Sequence, residues 1–196
     1  MRLKTGHFML DPLLDFARNS PQLPRDIHDP WQWRECAEVI STMMSGAPAD
    51  LSGWYWWGRL NEAGWETVYL GMTRKRKTSS LYARLKEEML EEGTIAIWAD
   101  VWGKDPIVAQ HDAYYGGRYH GNGERSLRKC GSRMVLWVGI LDPISEEEIV
   151  AQKGALIRHY EPVGNYQQGR RGPANPAMTD DIVAAVTREL GSMVKG

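Results

Sequence analysis

The sequence predicts an α+β domain: a three-stranded antiparallel sheet in the order β-hairpin, helix, strand, helix, flanked by helices. Three observations carry this. Two runs rich in aromatic residues, 51–60 and 65–71, bracket Asn61-Glu62-Ala63-Gly64, a turn signal that pairs them as a hairpin. Leu81, Leu85 and Met89 then fall at helical spacing, with Ser79 or Ser80 as the cap and Gly93 as the stop near Glu92. Finally, the apolar run 134–141 turns at Asp142-Pro143 and meets Ser145 with Glu148 three residues on. That capping box opens a helix running to about Tyr160.

The remaining elements are weaker. Residues 1–50 read as an N-terminal helical arm, with a short helix around Pro12–Arg18. A second helix from Trp31 to Met44 is capped by Asp29 and has Pro30 at its first position. Residues 94–132 read as an inserted region, mostly loop, with a short helix over Ile107–Tyr114. Residues 167–196 are a Gly/Pro/Asn-rich linker and an amphipathic helix from about Thr179 to Leu190. The core is then 51–166.

At 196 residues with 42% hydrophobic and 25% charged content, the chain is sized for one domain with extensions and a real core. Two widely spaced cysteines, Cys36 and Cys130, carry no metal spacing and fit a reducing compartment. No apolar run approaches the ~18 residues of a membrane span, and Met1-Arg2-Leu3-Lys4 lacks a signal-peptide core, so the expectation is a cytoplasmic protein with no membrane partner.

The residues that bear on chemistry sit on the hairpin and its helix. Gly53-Trp54-Tyr55 lies on the first strand and Tyr69-Leu70-Gly71 on the second, so cross-strand pairing would bring the two phenols together. Arg84 follows on the helix in Leu81-Tyr82-Ala83-Arg84-Leu85. Leu156-Ile157, Pro162 and Asn165 close the core. Taken singly these have ordinary readings: two packed strand tyrosines, and a helix arginine paired with Glu88 at i+4. Taken in order and at these intervals, over residues 51–166, they resemble the GIY-YIG nuclease superfamily, and most of all its type II restriction endonucleases.

The resemblance implies an endonuclease hydrolysing phosphodiesters in duplex DNA with Mg²⁺, for which Mn²⁺ substitutes. It implies Tyr55 as general base or relay to water, Tyr69 orienting the nucleophile or phosphate, Arg84 clamping the phosphate, and Asn165 holding the backbone near the site. Palindromic targets would favour a homodimer. One departure matters most. The metal-binding glutamate of the family falls at Lys153, and a lysine repels a divalent cation. Four accounts fit: a deliberately inactivated variant, a non-cutting DNA-binding relative, Glu88 supplying the carboxylate instead, or Lys153 standing in for the metal as a fixed cation. A protein-interaction or inhibitor module on the same fold is the remaining alternative, and it would expose its tryptophans.

Net charge is −1, so DNA contact must come from local patches. These are Arg74, Lys75, Arg76 and Lys77 after the hairpin, then Arg118, Tyr119, His120, Arg125, Arg128 and Lys129 in the inserted region, and Arg170 with Arg171 after the core. Each patch taken alone reads equally well as a solvated loop.

Overall fold

The computed structural model describes residues 1–21, 32–73, 80–115, 125–165 and 174–193. The fold is α+β, built on an antiparallel sheet of four strands: β1 (Leu3–Met9), β2 (Gly53–Asn61), β3 (Gly64–Met72) and β4 (Met134–Ile140), ordered β1-β4-β2-β3. The hairpin forms as its turn signal requires, with Asn61 Oδ1 accepting from the Ala63 amide at 3.0 Å. It pairs Tyr55 with Gly71 and Trp57 with Tyr69. A bulge after Trp57 pairs Gly58 with Thr67 and leaves Val68 without a cross-strand partner.

The expected three strands become four because Leu3–Met9 pairs along the whole of β4 instead of standing outside the core. Its sequence, Leu-Lys-Thr-Gly-His-Phe-Met, alternates only weakly; tertiary pairing makes it a strand. Gly6 belongs there because the Trp137 ring lies across it, with a Cβ at that position only 2.4 Å from Cζ2.

Strand alternation divides the core into two layers. Tyr55, Trp57, Val135 and Trp137 face one layer, where Leu81, Leu85, Met89, Ile97 and Trp98 cover them. Trp54, Trp56, Leu70, Leu136 and Val138 face the other, under Ile149, Leu156, Ile157, Ile182 and Val186. The first layer holds α1 (Asp11–Asn19), α2 (Gln32–Met43), α3 (Leu81–Glu88) and α4 (Thr94–Trp102). The second holds α6 (Glu146–Tyr160) and α7 (Pro176–Met193), while α5 (Lys104–Tyr115) follows α4. α6 begins at the expected box: Ser145 accepts from the Glu148 amide, and Glu148 accepts from the Ser145 amide. α7 is bound to β1 through Glu189, which accepts from Thr5 Oγ1 at 2.6 Å and lies 2.7 Å from His7 Nδ1.

Gly93 does not stop the arginine helix. α3 passes through a π-turn, Met89–Gly93, directly into α4. The glycine serves close approach: a Cβ there would stand 2.5 Å from the edge of the Trp57 ring. The start of the inserted region is accordingly two helices, Thr94–Trp102 and Lys104–Tyr115, broken at Gly103, and not a long loop. Its apolar residues Ile97 and Trp98 are core, with Phe16 packed edge-on against Trp98 at 5.8 Å.

Candidate functional site

α3 starts at Ser80, whose hydroxyl accepts from the Ala83 amide at 3.2 Å, and this cap sets the phase that turns Arg84 and Glu88 toward the sheet. Arg84 Nε donates to Tyr55 Oη at 3.2 Å. Its Nη1 donates to Glu87 Oε2 at 2.6 Å, and its Nη2 to Glu88 Oε1 at 2.5 Å. The ordinary i+4 helix pair and the contact with the hairpin tyrosine therefore coexist in one side chain. Tyr69 stands on the same face of the sheet, next to Tyr55 on the diagonal. The structure thus brings Tyr55, Tyr69, Arg84 and Glu88 together. Arg84 and Tyr69 are the members that reach solvent, Arg84 with 22% of its side chain exposed, and a guanidinium carries more donors than these three bonds consume.

Asn165 does something different. Its Oδ1 accepts from the Leu70 amide at 2.8 Å and its Nδ2 donates to the Leu70 carbonyl at 3.0 Å, so it grips the backbone of β3 between Tyr69 and Gly71. Beside it the Gly164 amide donates to the bulged Val68 carbonyl at 2.7 Å.

Lys153 is half-buried on α6, in the stripe of Ile149, Leu156 and Ile157 that covers the second layer. The helix that carries it covers the layer opposite the one that holds Tyr55. Of the residues expected to touch DNA, Arg125 is exposed and Arg128 is half-buried near Tyr69. Arg74, Lys75, Arg76, Lys77, Arg118, Tyr119, His120, Arg170 and Arg171 lie outside the described residues.

Lys129 requires a correction. Expected on a DNA-binding loop, it is wholly buried, 0% exposed, and cannot reach a phosphate. The short helical turn Leu127–Lys129 carries it inward. There its ammonium donates to Glu92, lies 3.6 Å from Glu88 Oε2, and sits 4.1 Å over the centre of the Tyr69 ring and 5.6 Å from that of Trp57. Desolvating an ammonium costs several kcal/mol. Two carboxylates and two aromatic faces offset that cost here.

Glu92 and Lys129 are the members that sequence reasoning missed. Glu92 was visible as the residue four beyond Glu88 on the same helix. Nothing in Leu127-Arg128-Lys129-Cys130 marks the lysine as interior.

The electrostatics follow from burial and these contacts. Burial alone would raise the Glu88 carboxyl, but the charges of Lys129 and Arg84 outweigh it and hold it below the usual carboxylate value. Burial, reinforced by the negative charge of Glu88, pushes both the Tyr55 and Tyr69 phenols well above their ordinary range. Both are neutral hydrogen-bonding groups at physiological pH. An arriving phosphate, being anionic, would raise them further, which opposes a role as general base.

A divalent ion does not fit these residues. Each oxygen of Glu88 already faces a cation, Arg84 on one and Lys129 on the other. A metal would have to expel one of them or sit against both positive charges.

No family model, curated protein or solved structure matches this chain.

Proposed function

We propose that this chain is a duplex-DNA-binding protein built on the plan of a GIY-YIG restriction endonuclease, with phosphodiester cleavage lost or severely weakened by Lys153 at the position of the metal-holding glutamate. The observation that carries the reading is the bond from Arg84 Nε to Tyr55 Oη, with Tyr69 beside it on the same face. That contact between the hairpin and its following helix is the one on which an endonuclease reading depends. A partly exposed guanidinium, oriented by a phenol, is suited to a backbone phosphate. The site's own carboxylate favours binding over cutting, because Glu88 is engaged by Arg84 and Lys129 and the phenols are held neutral. An interaction module using exposed tryptophans gains no support: Trp54, Trp56, Trp57, Trp98 and Trp137 are core, and Trp102 is the exposed one among the described residues.

The test compares this chain with its Lys153→Glu variant on plasmid DNA with Mg²⁺ or Mn²⁺, alongside duplex binding by both. Binding by both is the expected result, and discrete cutting by Lys153→Glu alone would identify Lys153 as the change that removed cleavage. Cutting by the original chain would replace the non-cutting reading with an active enzyme. Folded protein that neither binds nor cuts duplex DNA would end the nuclease-plan reading.

A further inference from the structure

Lys129 is distant from the hairpin in sequence and hidden from solvent, yet it touches three groups of the candidate site: Glu88, Glu92 and the face of Tyr69. Its position has a charge consequence. Arg84 is bonded to Glu87 and Glu88 and lies within electrostatic reach of Glu91, and Lys129 is the second cation, set between Glu88 and Glu92. Without it the negative excess around the guanidinium would grow by a full charge and Glu88 would press on Arg84 alone, the reverse of what an anion-binding group needs. Glu88 is the shared partner, with Arg84 on Oε1 and Lys129 facing Oε2. The more of its charge Lys129 balances, the less it withholds from an incoming phosphate.

We infer that Lys129 is a positioning residue of this site: an internal counter-cation that shares Glu88 with Arg84 and so keeps Arg84 competent to bind a DNA backbone phosphate, without itself touching DNA. The inference rests on the reading that Arg84 takes that phosphate. It also gives the interior lysine a role that packing alone would not, since an apolar side chain would fill the same space between Tyr69 and Trp57 without desolvating a charge.

The experiment measures binding of a fluorescein-labelled duplex of mixed sequence by the full chain, by fluorescence anisotropy at fixed salt, with thermal unfolding followed in parallel. The variants are Arg84→Ala, Lys129→Met, the Arg84→Ala/Lys129→Met double and the Lys129→Met/Glu88→Gln double. Lys129→Met is expected to weaken binding roughly tenfold, well short of a direct close charge pair, because its effect reaches the phosphate only through Glu88 and Arg84. In the Arg84→Ala background it is expected to weaken binding no further, because its effect passes through Arg84. The Lys129→Met/Glu88→Gln double, which restores the native charge balance, is expected to bind within a few-fold of native.

Native affinity in folded Lys129→Met overturns the inference, as does an equal loss in the presence and absence of Arg84. If Lys129→Met is unfolded, the Lys129→Met/Glu88→Gln double decides: binding as poor as that of Arg84→Ala overturns the inference. Arg84→Ala binding as tightly as native sinks the proposed function itself. Weakening by Arg84→Ala together with native affinity in Lys129→Met sinks only the role of the lysine.

Discussion

The ring of Tyr55 lies across Gly71, its cross-strand partner, so closely that a Cβ on Gly71 would stand 2.0 Å from Cζ and 2.2 Å from Oη. The glycine of Tyr69-Leu70-Gly71 is therefore a seat for the phenol that Arg84 holds. Gly71→Ala should displace that ring and destabilise the fold by about 1–3 kcal/mol through overpacking. Urea unfolding checks this in two backgrounds. The cost should largely disappear in Tyr55→Ala, where the ring is gone. Equal cost in both backgrounds would place the strain elsewhere.

Asn165 satisfies both backbone groups of Leu70. Asn165→Ala should cost roughly 1–3 kcal/mol, since it strands a partly buried donor and acceptor. Asn165→Asp should recover little, because its second oxygen would meet the Leu70 carbonyl. Amide exchange at Leu70 should accelerate in both variants. Unchanged protection there would show that solvent or another group replaces the side chain.

The Glu88 carboxyl is depressed below its usual value near 4.5 in the folded chain. The unfolded chain therefore takes up that proton first as pH falls. The stability Glu88 contributes is complete above the unfolded value and is lost as pH drops through the lower folded one. As pH falls from about 5 through the unfolded carboxyl's value, the unfolding midpoint of the native chain should fall more steeply than that of Glu88→Gln. Parallel slopes would mean that Glu88 is not ionised in the fold.

Because Arg84 and Lys129 already occupy Glu88, duplex binding should not require a divalent ion. Affinity measured in EDTA and in Mg²⁺, matched for ionic strength, should agree within about two-fold, the residual expected from counterion effects. A large gain with Mg²⁺ would show that a metal enters the site in spite of both cations.

What was legible in the sequence was local. The turn Asn61–Gly64, the Ser80 cap and the Ser145–Glu148 box act within a few residues, and each sets an element where the spacing places it. The pairing of Tyr55, Tyr69 and Arg84 was legible as well, since a hairpin and the next helix leave little freedom. What escaped depends on distant partners. Leu3–Met9 is a strand because β4 offers an edge, and Gly93 continues a helix because Trp57 crowds it. Lys129 is interior because two glutamates from another element meet it. A charge that looks solvated in sequence is a core residue once its counter-charges come from elsewhere in the chain.

β3 is an outer strand, and outer strands invite unwanted self-association by offering open backbone groups to another chain. The Asn165 amide imitates a neighbouring strand for one residue, and the Gly164 amide does the same for Val68. Adding a foreign strand along this margin would first require breaking three bonds that the chain makes to itself. The segment that fastens the site also blunts this margin of the sheet against strand addition.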